Sequence, residues 1–156
     1  MRGIAWKTAR GSLGLWNPAP NVMAMALRGH GEAAFVEPIV ALFDRLSGPA
    51  LHLFADVAGL SSYDSALRTG LTARFARDRA RIVDFPILLG SKIVAMGVAV
   101  ANLALGGVVT AHTSRERFTG SVDKTLFALS VTGFSSNALA NFSAQSRDEA
   151  APDGRS

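Results

Sequence analysis

Residues 51–68, Leu-His-Leu-Phe-Ala-Asp-Val-Ala-Gly-Leu-Ser-Ser-Tyr-Asp-Ser-Ala-Leu-Arg, hold the densest group of chemistry-bearing side chains in the sequence. An apolar run leads into Asp56, a Gly-bearing stretch from Gly59 through Ser61, Ser62 and Tyr63 follows, and Asp64-Ser65 opens a helical pattern with Arg68 in its first turn. Open α/β sheets keep their functional surfaces at the carboxyl ends of strands. The positive end of a following helix favours an anion, a phosphate included, at the same place. The loop from Gly59 to Ser65 and the helix start therefore read as a contact surface built from Asp56, Gly59, Ser61, Ser62, Tyr63, Asp64, Ser65 and Arg68. Each of these also has a purely structural reading. Asp56 suits an Asx turn at a strand end, and Asp64 and Ser65 suit a first helical turn.

Catalysis asks for more than this. Asp56 and Asp64 could form an acid/base pair, but the one histidine near them in the chain, His52, reads as part of a strand. No nucleophile, base and orienting group can be assembled from neighbouring positions. His30, His52 and His112 are too scattered for a metal site, and His52 lies inside a strand pattern. Gly90-Ser91-Lys92 follows a strand, but lacks the earlier Gly that a phosphate-binding loop needs. The expectation is a protein that is not an enzyme and uses no cofactor or metal.

The chain has 156 residues, 49% of them hydrophobic and 18% charged, enough for one domain with a sizeable core. The net charge of +4 comes mostly from arginine. Arg68, Arg74, Arg77, Arg79 and Arg81 give one helix a basic outer side, read as a solvated face first and as a docking face for an acidic partner second. Nucleic-acid binding is not indicated. There is no cysteine, so no disulfide or thiol chemistry is available. The N-terminal residues carry a charge every few positions and no apolar core, unlike a signal peptide, so the expected location is cytoplasmic. Residues 93–111 form an uncharged run near the length of a membrane span. Asn102 in its middle, the Gly106-Gly107 break and the lack of flanking aromatics favour a buried helix followed by a strand, with no stable membrane insertion.

Periodicity places strands at residues 4–8, 22–27, 51–55, 85–89 and 108–111. The intervening 11–20, with Gly11, Gly14, Pro18 and Pro20, reads as turn punctuation. Helical spacing covers 32–46 (stopped by Gly48), 64–80, a segment capped by Ser91, and a segment opened by a Thr113–Glu116 capping box. Ser61 and Asp64 also match a capping box, with Asp in place of Glu. The order β-β-α-β-α-β-α-β-α implies an α/β domain over residues 1–142, with a mixed, mostly parallel sheet and an N-terminal antiparallel hairpin. Residues 143–156 read as a disordered tail. The 92–105 helix is apolar all round, so it needs cover on a second side, from the C-terminal helix or from a partner subunit such as a second copy.

The element order and the motif Asp56-Val-Ala-Gly59-Leu60-Ser-Ser-Tyr-Asp64-Ser65 resemble the STAS domain family, which includes anti-sigma factor antagonists and the cytoplasmic domains of sulphate transporters. The resemblance spans residues 3 to 130. Asp56 and Asp64 match the spacing of the family signature, and Gly59 falls on its loop glycine. Ala66 stands where phosphorylated members carry the acceptor serine, and Leu67 where they carry glycine, so only Ser65 or a neighbouring serine is left as an acceptor. The resemblance implies a non-catalytic regulatory module that docks an anti-sigma or kinase-like protein partner, or serves as a subunit of a complex. The alternative reading is a small apolar ligand, such as a lipid, held between helix and sheet among the small residues of 85–111, or an accessory role in a membrane transport complex.

Overall fold

The computed structural model describes residues 3–142; the tail expected over 143–156 lies outside them. Strand β1 (Ile4–Lys7) is followed by β2 (Gly11–Ala19), and a turn at Pro20-Asn21 leads into β3 (Val22–Gly31). β1 pairs with β2 and β2 with β3, both antiparallel. The composition of 11–20 suggests turns, with the first strand paired directly to 22–27; in the structure β2 lies between them. Its glycines are sites of close approach rather than breaks. A Cβ on Gly14 would sit 2.5 Å from the Phe142 ring, so the bare backbone there makes room for that ring.

From β3 onward the sheet is parallel. A 3-10 turn (Ala33–Phe35) and α1 (Val36–Arg45) lead to β4 (Leu51–Tyr63), α2 (Ser65–Arg77) to β5 (Ile82–Leu89), and α3 (Lys92–Ala104) to β6 (Val109–His112). The sheet order is β1-β2-β3-β4-β5-β6. Helix α4 (Arg115–Ala128) and the short α5 (Ser136–Ala140), which sequence periodicity did not disclose, follow as the last elements among the described residues. The fold is α/β with one mixed sheet and the order β-β-β-α-β-α-β-α-β-α-α.

Two separate cores lie on the two faces of this sheet. Met23, Met25, Leu27, Leu53, Ala55 and Val57 face one way, against Ile39, Leu42 and Phe43 of α1, Leu67 and Phe75 of α2 and Val94 of α3. Val22, Ala24, Ala26 and Phe54 face the other way, against Phe118, Val122 and Leu126 of α4, with Leu139 and Phe142 beside them. This alternation is what a sheet covered on both faces requires.

β4 runs 13 residues, so the segment expected to be a loop from Gly59 is strand as far as Tyr63. Its register against β3 shifts twice, between Ala26 and Arg28 and again between Gly29 and His30. Each irregularity lets pairing continue while the side-chain phase moves. The capping patterns also shift. Asp64, not Ser61, is the N-cap residue of α2, and its side chain makes no cap bond. In α4 the cap is Ser114, which accepts from the Arg117 amide. Ser91 caps α3 as expected, accepting from Val94 N.

Helix α3 ends at Gly106-Gly107, both in the left-handed region (φ +70° and +81°) where glycine is favoured. The Asn102 amide then bonds both the N–H and the C=O of Val109, fixing the turn into β6. Among the described residues no helix is long and apolar enough to cross a membrane. The C-terminal helices lie on the opposite face of the sheet and do not cover α3, so Ile93, Met96, Val100 and Leu103 stand exposed, Leu103 at 82%.

Candidate functional site

Asp56 lies inside β4, fully buried, rather than at a strand end. Its Oδ1 accepts from Ala58 N at 3.1 Å, which is the Asx contact the sequence allowed. Its Oδ2 is shared by Arg28 Nη2 at 3.4 Å and Arg115 Nη1 at 3.0 Å. Arg28 also donates to the carbonyls of Leu27, Asp56 and Leu139 and stacks over Phe142. Burial pulls its guanidinium down from the ordinary arginine value; the like charge of Arg115 adds to this, and the Asp56 carboxylate opposes it. Gly59 belongs to the same arrangement, since a Cβ there would meet Arg28 Cδ at 2.5 Å. Asp56 and Gly59 thus join β3 and β4 to the C-terminal helices, and the Asp56 carboxylate does not face solvent.

At the carboxyl ends of β3 and β4 the fold places a histidine that sequence distance had hidden. His30 Nδ1 is 2.7 Å from Ser62 Oγ, and His30 Nε2 is 2.8 Å from Asp64 Oδ1. Parallel pairing of His30 with Ser62 brings them together across 32 positions. The tautomer with its proton on Nε2 satisfies both contacts, accepting from the serine and donating to the carboxylate. The other Asp64 oxygen accepts from Ala33 N at 2.8 Å. The hydrogen bond from His30, with that from Ala33, holds the Asp64 carboxyl below the usual carboxylate range. In order of groups this is a hydroxyl, an imidazole and a carboxylate, the set that sequence neighbours did not supply. Both carboxylate oxygens are committed, and the imidazole is largely buried. The arrangement ties the start of α2 to the turn before α1. Ser61 stands exposed beside it with its hydroxyl on the Gly29 carbonyl, and Ser65 is exposed in the first turn of α2.

Tyr63 and Arg68, the two remaining residues of the expected contact surface, point elsewhere. They line a chamber of about 120 Å³ between α2, α3 and the sheet. Its walls are Met25, Leu27, Val57 and Leu60 from the strands, Leu67, Leu71 and Phe75 from α2, and Val94, Gly97, Val98 and Ala101 from α3, with Phe85, Ile87 and Val109 closing the far side. Small residues of α3, read as packing or as a lining, leave this space open. Ser62, His30 and Asp64 do not border it.

Two of the scattered histidines also find places. His52 Nδ1 is 3.7 Å from Asp84, whose carboxylate accepts from Thr125, and His112 packs edge-on against Phe118. Among the described residues no group of three or more His, Cys, Asp or Glu could hold a metal ion. The helix expected over 64–80 ends at Arg77, so Arg79 and Arg81 lie in the turn after α2, and much of the basic run is engaged internally. Arg74 bridges Asp44 and Asp78, Arg79 reaches the Ala104 carbonyl, and Arg81 that of Gly48. Comparison with known proteins assigns no family, since neither a protein-family model nor a curated protein matches this chain.

Proposed function

We propose that the protein is a non-catalytic binding module that takes a small apolar ligand into the chamber between α2, α3 and the sheet. The chamber carries this reading: a space of about 120 Å³ whose walls are almost wholly hydrocarbon. Close-packed interiors leave few voids larger than a water molecule, and an apolar void of comparable size, about 150 Å³, stays dry and binds benzene. Small residues at 97 and 101 keep the space open where larger ones would fill it. The test is calorimetric titration with benzene and 1-hexanol. Binding at the chamber would be lost in Ala101→Leu, which adds three carbons to the wall, while the fold keeps its melting temperature. No heat of binding from either probe would overturn the reading.

A second reading, docking of a protein partner as in the STAS resemblance, is favoured by one observation: Ser61 and Ser65 are exposed beside the start of α2. A phosphate on Ser65 would add charge at a helix N-terminus, where it is stabilised. Affinity capture from the host with wild-type and Ser65→Glu protein, with mass spectrometry of the bait, tests it. A partner captured by one form and not the other supports docking. An unmodified bait with the same proteins bound to both forms counts against it.

A further inference from the structure

Few of the residues around the chamber carry polar side-chain groups. Tyr63, Arg68 and Thr72 line it, and all three are partly exposed. The Thr72 hydroxyl donates to the Arg68 carbonyl at 2.7 Å. Among the described residues, neither the Tyr63 hydroxyl nor the Arg68 guanidinium has a hydrogen-bond or ion-pair partner. The Tyr63 hydroxyl and the Arg68 stem meet over Gly97, where a Cβ would overlap the hydroxyl and stand 3.2 Å from Arg68 Cδ. The missing side chain at 97 is what lets the phenol and the arginine stem lie together at the mouth.

Arg68 differs in this from the other arginines that border a core. Arg28 and Arg115 share Asp56, and Arg74 bridges two carboxylates. A guanidinium with no acceptor, on a residue that lines an apolar space, has its donors free for an anion.

We infer that the ligand is a small amphiphilic carboxylic acid, bound as its carboxylate, with the apolar body in the chamber and the head group on Arg68 and Tyr63. A guanidinium presents two parallel N–H donors that match the two oxygens of a carboxylate, and the phenol hydroxyl supplies a third donor. One cation suits a monoanion better than a phosphate dianion. A chamber of about 120 Å³ limits the buried part to about six carbons, judged against the benzene-sized void of about 150 Å³. The inference rests on the ligand-binding reading above and adds to it the charge of the head group.

Calorimetric titration of the full chain with hexanoate, 1-hexanol and hexylamine tests it, in wild type and in Arg68→Met and Tyr63→Phe. Hexanoate is expected to bind about tenfold more tightly than 1-hexanol, as a charge-assisted hydrogen bond implies. That gap should close in Arg68→Met and narrow in Tyr63→Phe, because hexanoate loses far more affinity than 1-hexanol in each variant. Hexylamine should bind most weakly. Equal affinity for hexanoate and 1-hexanol, or a gap that survives Arg68→Met, overturns the carboxylate assignment while leaving an apolar site in place. If none of the three binds, the assignment and the ligand-binding reading fall together. Ala101→Leu separates a chamber site from surface association, because hexanoate heat that persists in that variant also overturns the proposal.

Discussion

Asp56 and Asp64 belong to one continuous stretch of chain, and their surroundings give them different work. Asp56 is buried under two arginines, so replacing it leaves cations without their counter-charge. Breaking a buried pair in this way costs about 3–5 kcal/mol, and the 44% exposure of the Arg115 side chain lets water take up part of the loss. We predict that Asp56→Asn lowers unfolding stability in urea by about 2–3 kcal/mol, at or just below the lower bound of that range. Asp64 is more exposed, and its effect appears in the pH dependence. Its folded-state pKa lies below the ordinary value because His30 and Ala33 donate to the carboxylate. The resulting stabilisation is therefore present above the ordinary carboxylate value of about 4 and is lost as pH falls through the lowered one. Urea midpoints of wild type and Asp64→Asn should differ at pH 7 and converge on acidification below about pH 4. A difference that stays constant down to pH 2 would contradict the assignment.

At the scale of elements, α3 has two faces of nearly the same composition and opposite roles. Val94 is buried against the sheet, and Leu103 projects outward from the same helix. Val94→Ala should cost about 1–3 kcal/mol through lost burial and incomplete closure of the gap. Leu103→Glu should change stability by less than about 0.5 kcal/mol, and denaturant titration of the two variants separates them. Sequence alone could not tell these faces apart, because a helix apolar all round gives no periodic contrast. The α/β class, the parallel crossovers and the Ser91 cap were legible, since each rests on local spacing. Strand β2 and the length of β4 were not. Gly11, Gly14, Gly59, Ser61 and Ser62 have the composition of turns, and only the packing of Phe142 and Arg28 against two of those glycines explains why strand persists there. The His30–Ser62–Asp64 set was hidden for a different reason. Parallel pairing joins residues separated by a whole crossover, and no local pattern records which ones meet.

For the molecule as a whole, the sheet separates two cores, and the chamber belongs to one of them. The side facing α1, α2 and α3 has unfilled space between two helices and the strands, whereas Phe118, Val122, Leu126, Leu139 and Phe142 pack the other side with Trp16. A ligand in the chamber adds dispersion contacts to atoms that now face a gap, and it stabilises the folded state by RT ln(1 + [L]/Kd), about 1.4 kcal/mol at ten times Kd. Local opening draws on the contacts of the region that opens, so the gain should not spread evenly. Amide exchange measured with and without saturating hexanoate should slow in α2, α3 and the facing residues of β4 and β5. In α4 and α5, amides that exchange by local opening should keep their rates, and only those requiring global unfolding should slow by the full linkage factor. Uniform slowing of every amide would mean that the chain opens only as a unit. Slowing confined to α4 and α5 would place the ligand on the wrong face and remove the chamber from the account of binding.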